Sequence, residues 1–263
     1  MRIDFTYPEG KAKALTFSYD DAVFEDRQLV EIFNKYKVKG TFHINSGLLD
    51  KESHIAASEV AKLYRGHEIS CHSLTHPSLA LCDRESIVAE ILEDRKNLEA
   101  LSRYPVTGLS YPNGSYNSYV LDILKSLGIV YSRTTKETGN FTLPDDFLKW
   151  HPTCHHNHDL MAKAEAFEKA YRSLALFYVW GHSYEFPRDD NWDLIEDFCE
   201  RLSSNDNVWY ATNIEIYEYL TALKQIQFSV DRKLVRNLSS QTIWFKADGE
   251  LIKLESNKLI NFK

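Results

Sequence analysis

The chain has 263 residues, 43% hydrophobic and 26% charged, with a net charge of −7. That length suits one large domain, or one domain with a small appendage. The acidic balance, with no block of Lys and Arg, argues against nucleic acid or an anionic membrane as partner. The opening MRIDFTYPEG lacks the apolar core of a secretory signal, and no later run is long enough to span a bilayer, so a cytoplasmic protein is expected. The 4 cysteines (Cys71, Cys82, Cys154, Cys199) form no CxxC pair and read as thiols.

Along the chain, short apolar runs at 14–19, 41–45, 67–72, 107–111, 130–133, 177–182 and 208–212 predict strands. Helical spacing fills the gaps. In 85–101 the residues Ile87, Ile91, Leu98 and Leu101 share one stripe, 120–127 stops at Gly128, and 192–202 aligns Ile195, Phe198 and Leu202. Strands alternating with helices predict an α/β fold with a parallel sheet. Between about 134 and 160 the pattern lapses into a loop rich in Thr, Asp, Pro and His. After Leu223 the character changes: TIWFKADGELIKL sets Asp248-Gly249 between two alternating runs, which predicts a hairpin with a type I′ turn. The expected division is therefore a large domain over 1–222 and a small C-terminal β appendage over 223–263. The appendage would pack on the larger domain or on a second copy, as a homo-oligomer contact.

In parallel α/β folds the chemistry sits where strands end. The first strand ends at Asp20-Asp21, the third at His72 with His76 four residues on, the fourth at Tyr111-Pro112-Asn113-Gly114, and the sixth at Trp180-Gly181-His182. Adjacent carboxylates repel each other and are costly to desolvate, so the pair needs a compensating charge. The strand reading of 67–72 and Pro77 both disfavour a helix through His72 and His76. A loop can still bring two imidazoles to one metal, with a carboxylate as third ligand. The plainer alternatives stay open: the aspartates as a turn or helix start, the histidines as buried imidazoles. The stretch 150–158, WHPTCHHNH, matches no standard zinc signature and reads as a substrate lid or structural loop, with a second metal site as a further alternative.

Ser18-Tyr19-Asp20-Asp21-Ala22 resembles the T-F-D-D-G motif of polysaccharide deacetylases, the NodB-homology or carbohydrate esterase family four proteins. His72-Ser73-Leu74-Thr75-His76 resembles their H-S/T-x-x-H motif, and Val179-Trp180-Gly181-His182 is similar to their closing L-x-H motif. The likeness runs over roughly 10–215 and implies an irregular (β/α)7-type barrel. It implies Asp21, His72 and His76 as ligands of one divalent metal, zinc first and Co2+, Ni2+ or Mn2+ as alternatives. It further implies Asp20 as general base, neutral-pH donor His182 as general acid, and the Asn113 backbone as oxyanion donor. Tyr111, Trp180 and Glu185 are the remaining candidates for substrate contact, Glu185 serving at the mouth or being simply a solvated carboxylate. The substrate so implied is an acetylated sugar or oligosaccharide, and the reaction is removal of its N-acetyl group. A related hydrolase of another small-molecule C–N bond and an inactive carbohydrate-binding barrel are the alternatives. The family's R-P-P-Y/F motif appears here as Ser110-Tyr111-Pro112-Asn113, without its arginine, and Arg133 is a candidate replacement. The Asp- and Trp-containing motif that supports the family's histidine has only Asp146 and Trp150 as counterparts, at the wrong spacing.

Overall fold

The computed structural model describes residues 2–262. In chain order the elements are β1 (Ile3–Phe5), β2 (Lys13–Asp20), α1 (Asp26–Lys35), β3 (Gly40–Ile44), α2 (Ala57–Leu63), β4 (Glu68–Cys71), α3 (Arg84–Ser102), β5 (Gly108–Ser110) and α4 (Ser118–Ser126). They continue with β6 (Tyr131–Arg133), β7 (Cys154–His155), α5 (Leu160–Lys169), β8 (Ala175–Gly181), α6 (Glu185–Arg188), α7 (Trp192–Ser203), β9 (Val208–Tyr210) and α8 (Asn213–Leu223). The last are β10 (Ile226–Phe228), β11 (Leu234–Asn237), β12 (Ile243–Ala247), β13 (Glu250–Leu254) and β14 (Leu259–Asn261). Every strand expected from the apolar runs is present, and none of the described helices is long and apolar enough to cross a membrane.

Strands β2 to β9 form one parallel sheet in the order β6-β5-β4-β3-β2-β8-β7, with β9 joined to β2. The ends of that order meet. Trp150 N–H donates to Ser132 O and Thr134 N–H to Trp150 O, both at 3.0 Å. Further on, Thr153 N–H donates to Tyr178 O at 2.8 Å and His156 N–H to Trp180 O at 2.9 Å. The segment from Trp150 to His156 therefore joins β6 to β8 and closes an irregular barrel. The loop expected over 134–160 needs correcting there: part of it is barrel wall.

Period two along β2 separates two environments. Leu15, Phe17 and Tyr19 pack outward into the apolar layer beneath the helices, where Phe17 meets Phe33 and Phe198. Thr16, Ser18 and Asp20 turn the other way, into a polar interior. There Thr16 donates to Asn213 at 2.8 Å, Thr41 and Tyr131 donate to Glu68 at 2.9 and 2.6 Å, and Asn213 donates to the Tyr178 hydroxyl at 2.6 Å. These bonds satisfy groups whose burial would otherwise cost several kcal/mol. Asn213 reaches the barrel because α8 starts there, capped reciprocally by Thr212 and Glu215.

The Asp248-Gly249 turn has positive φ at both residues, 48° and 92°, as a type I′ turn requires. It joins β12 to β13, and β1 adds to β12 antiparallel with Ile3 opposite Ala247. Strands β10, β11 and β14 form a second small antiparallel sheet. Val235, Ile243, Phe245 and Leu254 are buried in one cluster with Tyr7, Trp150, Tyr178 and Tyr219. The last forty or so residues thus pack against their own barrel.

Candidate active site

The ends of β2, β4, β5, β6 and β8 bring the candidate residues together. Asp21 Oδ1 lies 3.5 Å from His72 Nε2 and 3.9 Å from His76 Nε2. The three donor atoms all fall within 4.8 Å of one another. Asp20 Oδ2 is 3.7 Å from His72 Nε2 and 4.0 Å from His182 Nε2. The backbone needed for this is strained: Asp21, Ser73, His76 and Asn113 adopt φ of 81°, 63°, 66° and 56°. Non-glycine residues in the left-handed region cost on the order of 1 kcal/mol each, and such outliers gather at functional sites.

Buried groups hold the histidine loop in place. His72 Nδ1 donates to Ser110 O at 2.9 Å and sits 2.6 Å from Ser110 Oγ, which leaves the Nε2 lone pair facing Asp21. His72 N–H also donates to Asp94 Oδ2 at 3.1 Å, and Ser46 N–H donates to Asp94 Oδ1 at 2.8 Å. Asn45 Nδ2 donates to the carbonyls of His72 and Ser73. Burial pushes the Asp94 carboxyl up to about 7 and lowers the His72 imidazole. Asp94 was visible in the sequence as the one carboxylate interrupting the Ile87-Ile91-Leu98 stripe of α3.

The compensating charge for Asp20 comes from Arg133, the candidate replacement for the missing arginine. Asp20 is buried, as is Arg133 from β6, and Arg133 Nη2 donates to Asp20 Oδ2. The same guanidinium donates through Nε to Ser18 Oγ at 3.0 Å and lies 4.4 Å over the Trp180 ring. Ser110 Oγ donates to Asp20 Oδ1 at 3.1 Å. Burial works to raise the Asp20 carboxyl, but Arg133 and then His72 outweigh it and hold it below the usual range. The countercharge for Asp20 is thus an arginine on the strand next to that of Ser110.

His182, at the end of β8, is partnered by Glu185. Glu185 Oε2 accepts from the His182 N–H at 3.1 Å and lies 3.5 Å from His182 Nδ1. Burial opposes the charge on His182, yet Glu185 and Asp20 outweigh it and raise the imidazole above its ordinary value. Glu185 is buried beneath the histidine, so it is not the solvated carboxylate at the mouth. Tyr111 is also buried, its hydroxyl donating to Leu148 O at 2.8 Å. Trp180 covers Arg133, while Asn113 stands exposed at the turn after β5. Asp146 caps the turn at Phe147–Lys149 and Trp150 lies in the base cluster, so neither supports His182. Gly181 has a packing reason: a Cβ there would meet His156 Nδ1 at 2.1 Å.

The sequence profile of the polysaccharide deacetylase family matches residues 7–132. A chitooligosaccharide deacetylase from Rhizobium leguminosarum bv. phaseoli is 26% identical over 112 residues, 43% of this chain and 47% of the relative. One from Sinorhizobium fredii is 24% identical over 122 residues, 45% of this chain and 55% of the relative. The chain spans about half the length of these curated relatives. A Mycobacterium smegmatis structure assigned as a polysaccharide deacetylase superposes with a TM-score of 0.64 at 18% identity, covering 84% of this chain and 94% of that one. A family 4 carbohydrate esterase from Streptomyces lividans with bound acetate gives 0.51 at 14% identity, covering 75% and 90%. A pseudoenzyme of the same family from Bacillus anthracis gives 0.52 at 15% identity, covering 80% and 66%. The superpositions establish the shared barrel, and the sequence matches make residues 7–132 of this chain similar to the polysaccharide deacetylase family.

Proposed function

We propose that the protein is a metal-dependent hydrolase that removes the N-acetyl group from an acetylated sugar or oligosaccharide. The observation that carries this reading is the placement of Asp21, His72 and His76 donor atoms within 4.8 Å of one another, next to a separately neutralised Asp20 and a carboxylate-backed His182. The activity for which the relatives are named, deacetylation of chitooligosaccharides, supports an acetylated amino sugar as substrate class.

The residues fit a divalent cation. Two imidazoles and a carboxylate are a zinc donor set that leaves a coordination position open, and the Ser110 carbonyl already commits the His72 proton to Nδ1. When bound, the ion supplies a Lewis acid that polarises the acetyl carbonyl and lowers the pKa of a water. The chain's own groups do the rest. Asp20 Oδ2, fixed by Arg133, accepts the proton as water attacks the carbonyl carbon. His182 Nε2 faces the same space and donates a proton to the departing amine, a role suited to an imidazole raised above its ordinary value.

The test is acetate release from N-acetylglucosamine oligomers by zinc-loaded protein. Asp20→Asn should lower kcat by roughly 10²–10⁴-fold while keeping one zinc per chain. A fully metallated protein inert on every acetylated or formylated sugar would overturn the substrate claim.

A further inference from the structure

The His-rich stretch at the barrel seam offers a second cluster of potential ligands: His155, His156 and Glu185. Its hydrogen bonds argue against a metal there. The Asn157 N–H donates to His155 Nδ1 at 3.2 Å, so that nitrogen carries a lone pair and the ring proton sits on Nε2. His155 Nε2–H then donates to Glu185 Oε2 at 2.9 Å. A metal on Nε2 would need the proton at Nδ1, where the amide already points. His156 is fully buried with its ring stacked between Tyr19 and Phe186, its Nε2 3.5 Å from Glu185 Oε2.

We propose that His155 is a positioning residue for His182. The Asn157 amide sets the His155 tautomer, His155 anchors Glu185, and Glu185 accepts from the His182 backbone N–H with its Oε2 held 3.5 Å from His182 Nδ1. The stretch read as lid, loop or metal site is then a support that reaches the proposed general acid through two side chains. What His182 does chemically rests on the deacetylase reading; the support itself does not.

The readout is the ¹⁵N spectrum of the histidine rings in zinc-loaded, full-length protein, where a protonated Nδ1 on His182 has its own chemical-shift signature. Glutamine places its amide nitrogen where His155 Nε2 stands, whereas asparagine falls short and phenylalanine has no donor. His155→Gln should keep the His182 Nδ1–H signature, and His155→Phe and His155→Asn should lose it. With a deacetylase assay, kcat for His155→Phe should fall on the order of tenfold at nearly constant KM, with His155→Gln close to the parent. A folded His155→Phe with unchanged His182 signals overturns the proposal. If the phenylalanine variant fails to fold, identical His182 spectra for the Gln and Asn variants overturn it. Two zinc ions per chain, falling to one in His155→Gln, also overturn it, in favour of a second metal. The spectrum needs no turnover, so an inert protein would refute the deacetylase reading and leave this test intact.

Discussion

Arg133 provides the sharpest test of how the site is held together. It is 1% exposed and Asp20 is 2% exposed, so solvent screens neither charge. Removing one partner of such a pair strands the other charge in the interior and costs about 3–5 kcal/mol. Arg133→Met also loses the bond to Ser18 Oγ at 3.0 Å and the contact with Trp180, together about another 1 kcal/mol. A loss of about 4–6 kcal/mol lowers Tm by roughly 10–20 °C for a domain of this size. Asp20→Asn alone strands Arg133 and should cost about 3–5 kcal/mol. The double variant removes both charges and should be more stable than Arg133→Met, a coupling of at least about 2 kcal/mol. Urea unfolding at neutral pH, with chelator present to exclude metal effects, measures all four corners. If the single costs add to within about 0.5 kcal/mol, or Arg133→Met costs under about 1 kcal/mol, the assigned role for this arginine is wrong.

Three further outcomes follow from other parts of the structure. Burial pushes Glu68 from 4.5 up to about 7, so the folded chain keeps a proton that the unfolded chain releases. Stability should therefore fall as pH rises from about 4.5 to about 7, by up to about 3 kcal/mol, and Glu68→Gln should remove that share of the slope in parallel denaturation series. Ser110→Ala removes the Oγ contact at 2.6 Å from His72 Nδ1 while the carbonyl remains, and should weaken zinc binding by about tenfold in competition with a chelating dye. An unchanged affinity would show that the carbonyl alone orients the ring. Gly181→Ala drives a methyl into His156 and should cost about 1–3 kcal/mol by chemical denaturation; a neutral result would mean that His156 yields freely.

The parts of this molecule legible in the sequence were those with a local signature. Buried parallel strands show as apolar runs, and residues ending them were nameable because that is where such sheets expose side chains. What escaped depends on distant partners. Cys154–His155 is too short to show a period, and its place in the wall is set by Tyr178 and Trp180 on another strand. The apolar residues of β2 marked a strand, but the hidden polar half, Thr16 and Ser18, became meaningful only once Asn213 and Arg133 filled the interior. Glu185 read equally as a residue of the mouth or as a solvated carboxylate, because His155, the group that draws it inward, lies thirty residues earlier.

The pairing of β1 with β12 bears on how this chain is made. Ile3 leaves the ribosome long before its partner Ala247 is made. At roughly 5–20 residues per second, the intervening stretch takes on the order of 12–50 s to synthesise. Until its end Tyr7, and once they are made Trp150 and Tyr178, lack Ile243, Phe245 and Leu254, which share their buried cluster in the folded protein. The nascent barrel carries an open apolar base until residue 254 has emerged. Ribosome-bound intermediates stopped short of residue 243 should therefore engage chaperones that those extended past residue 254 release.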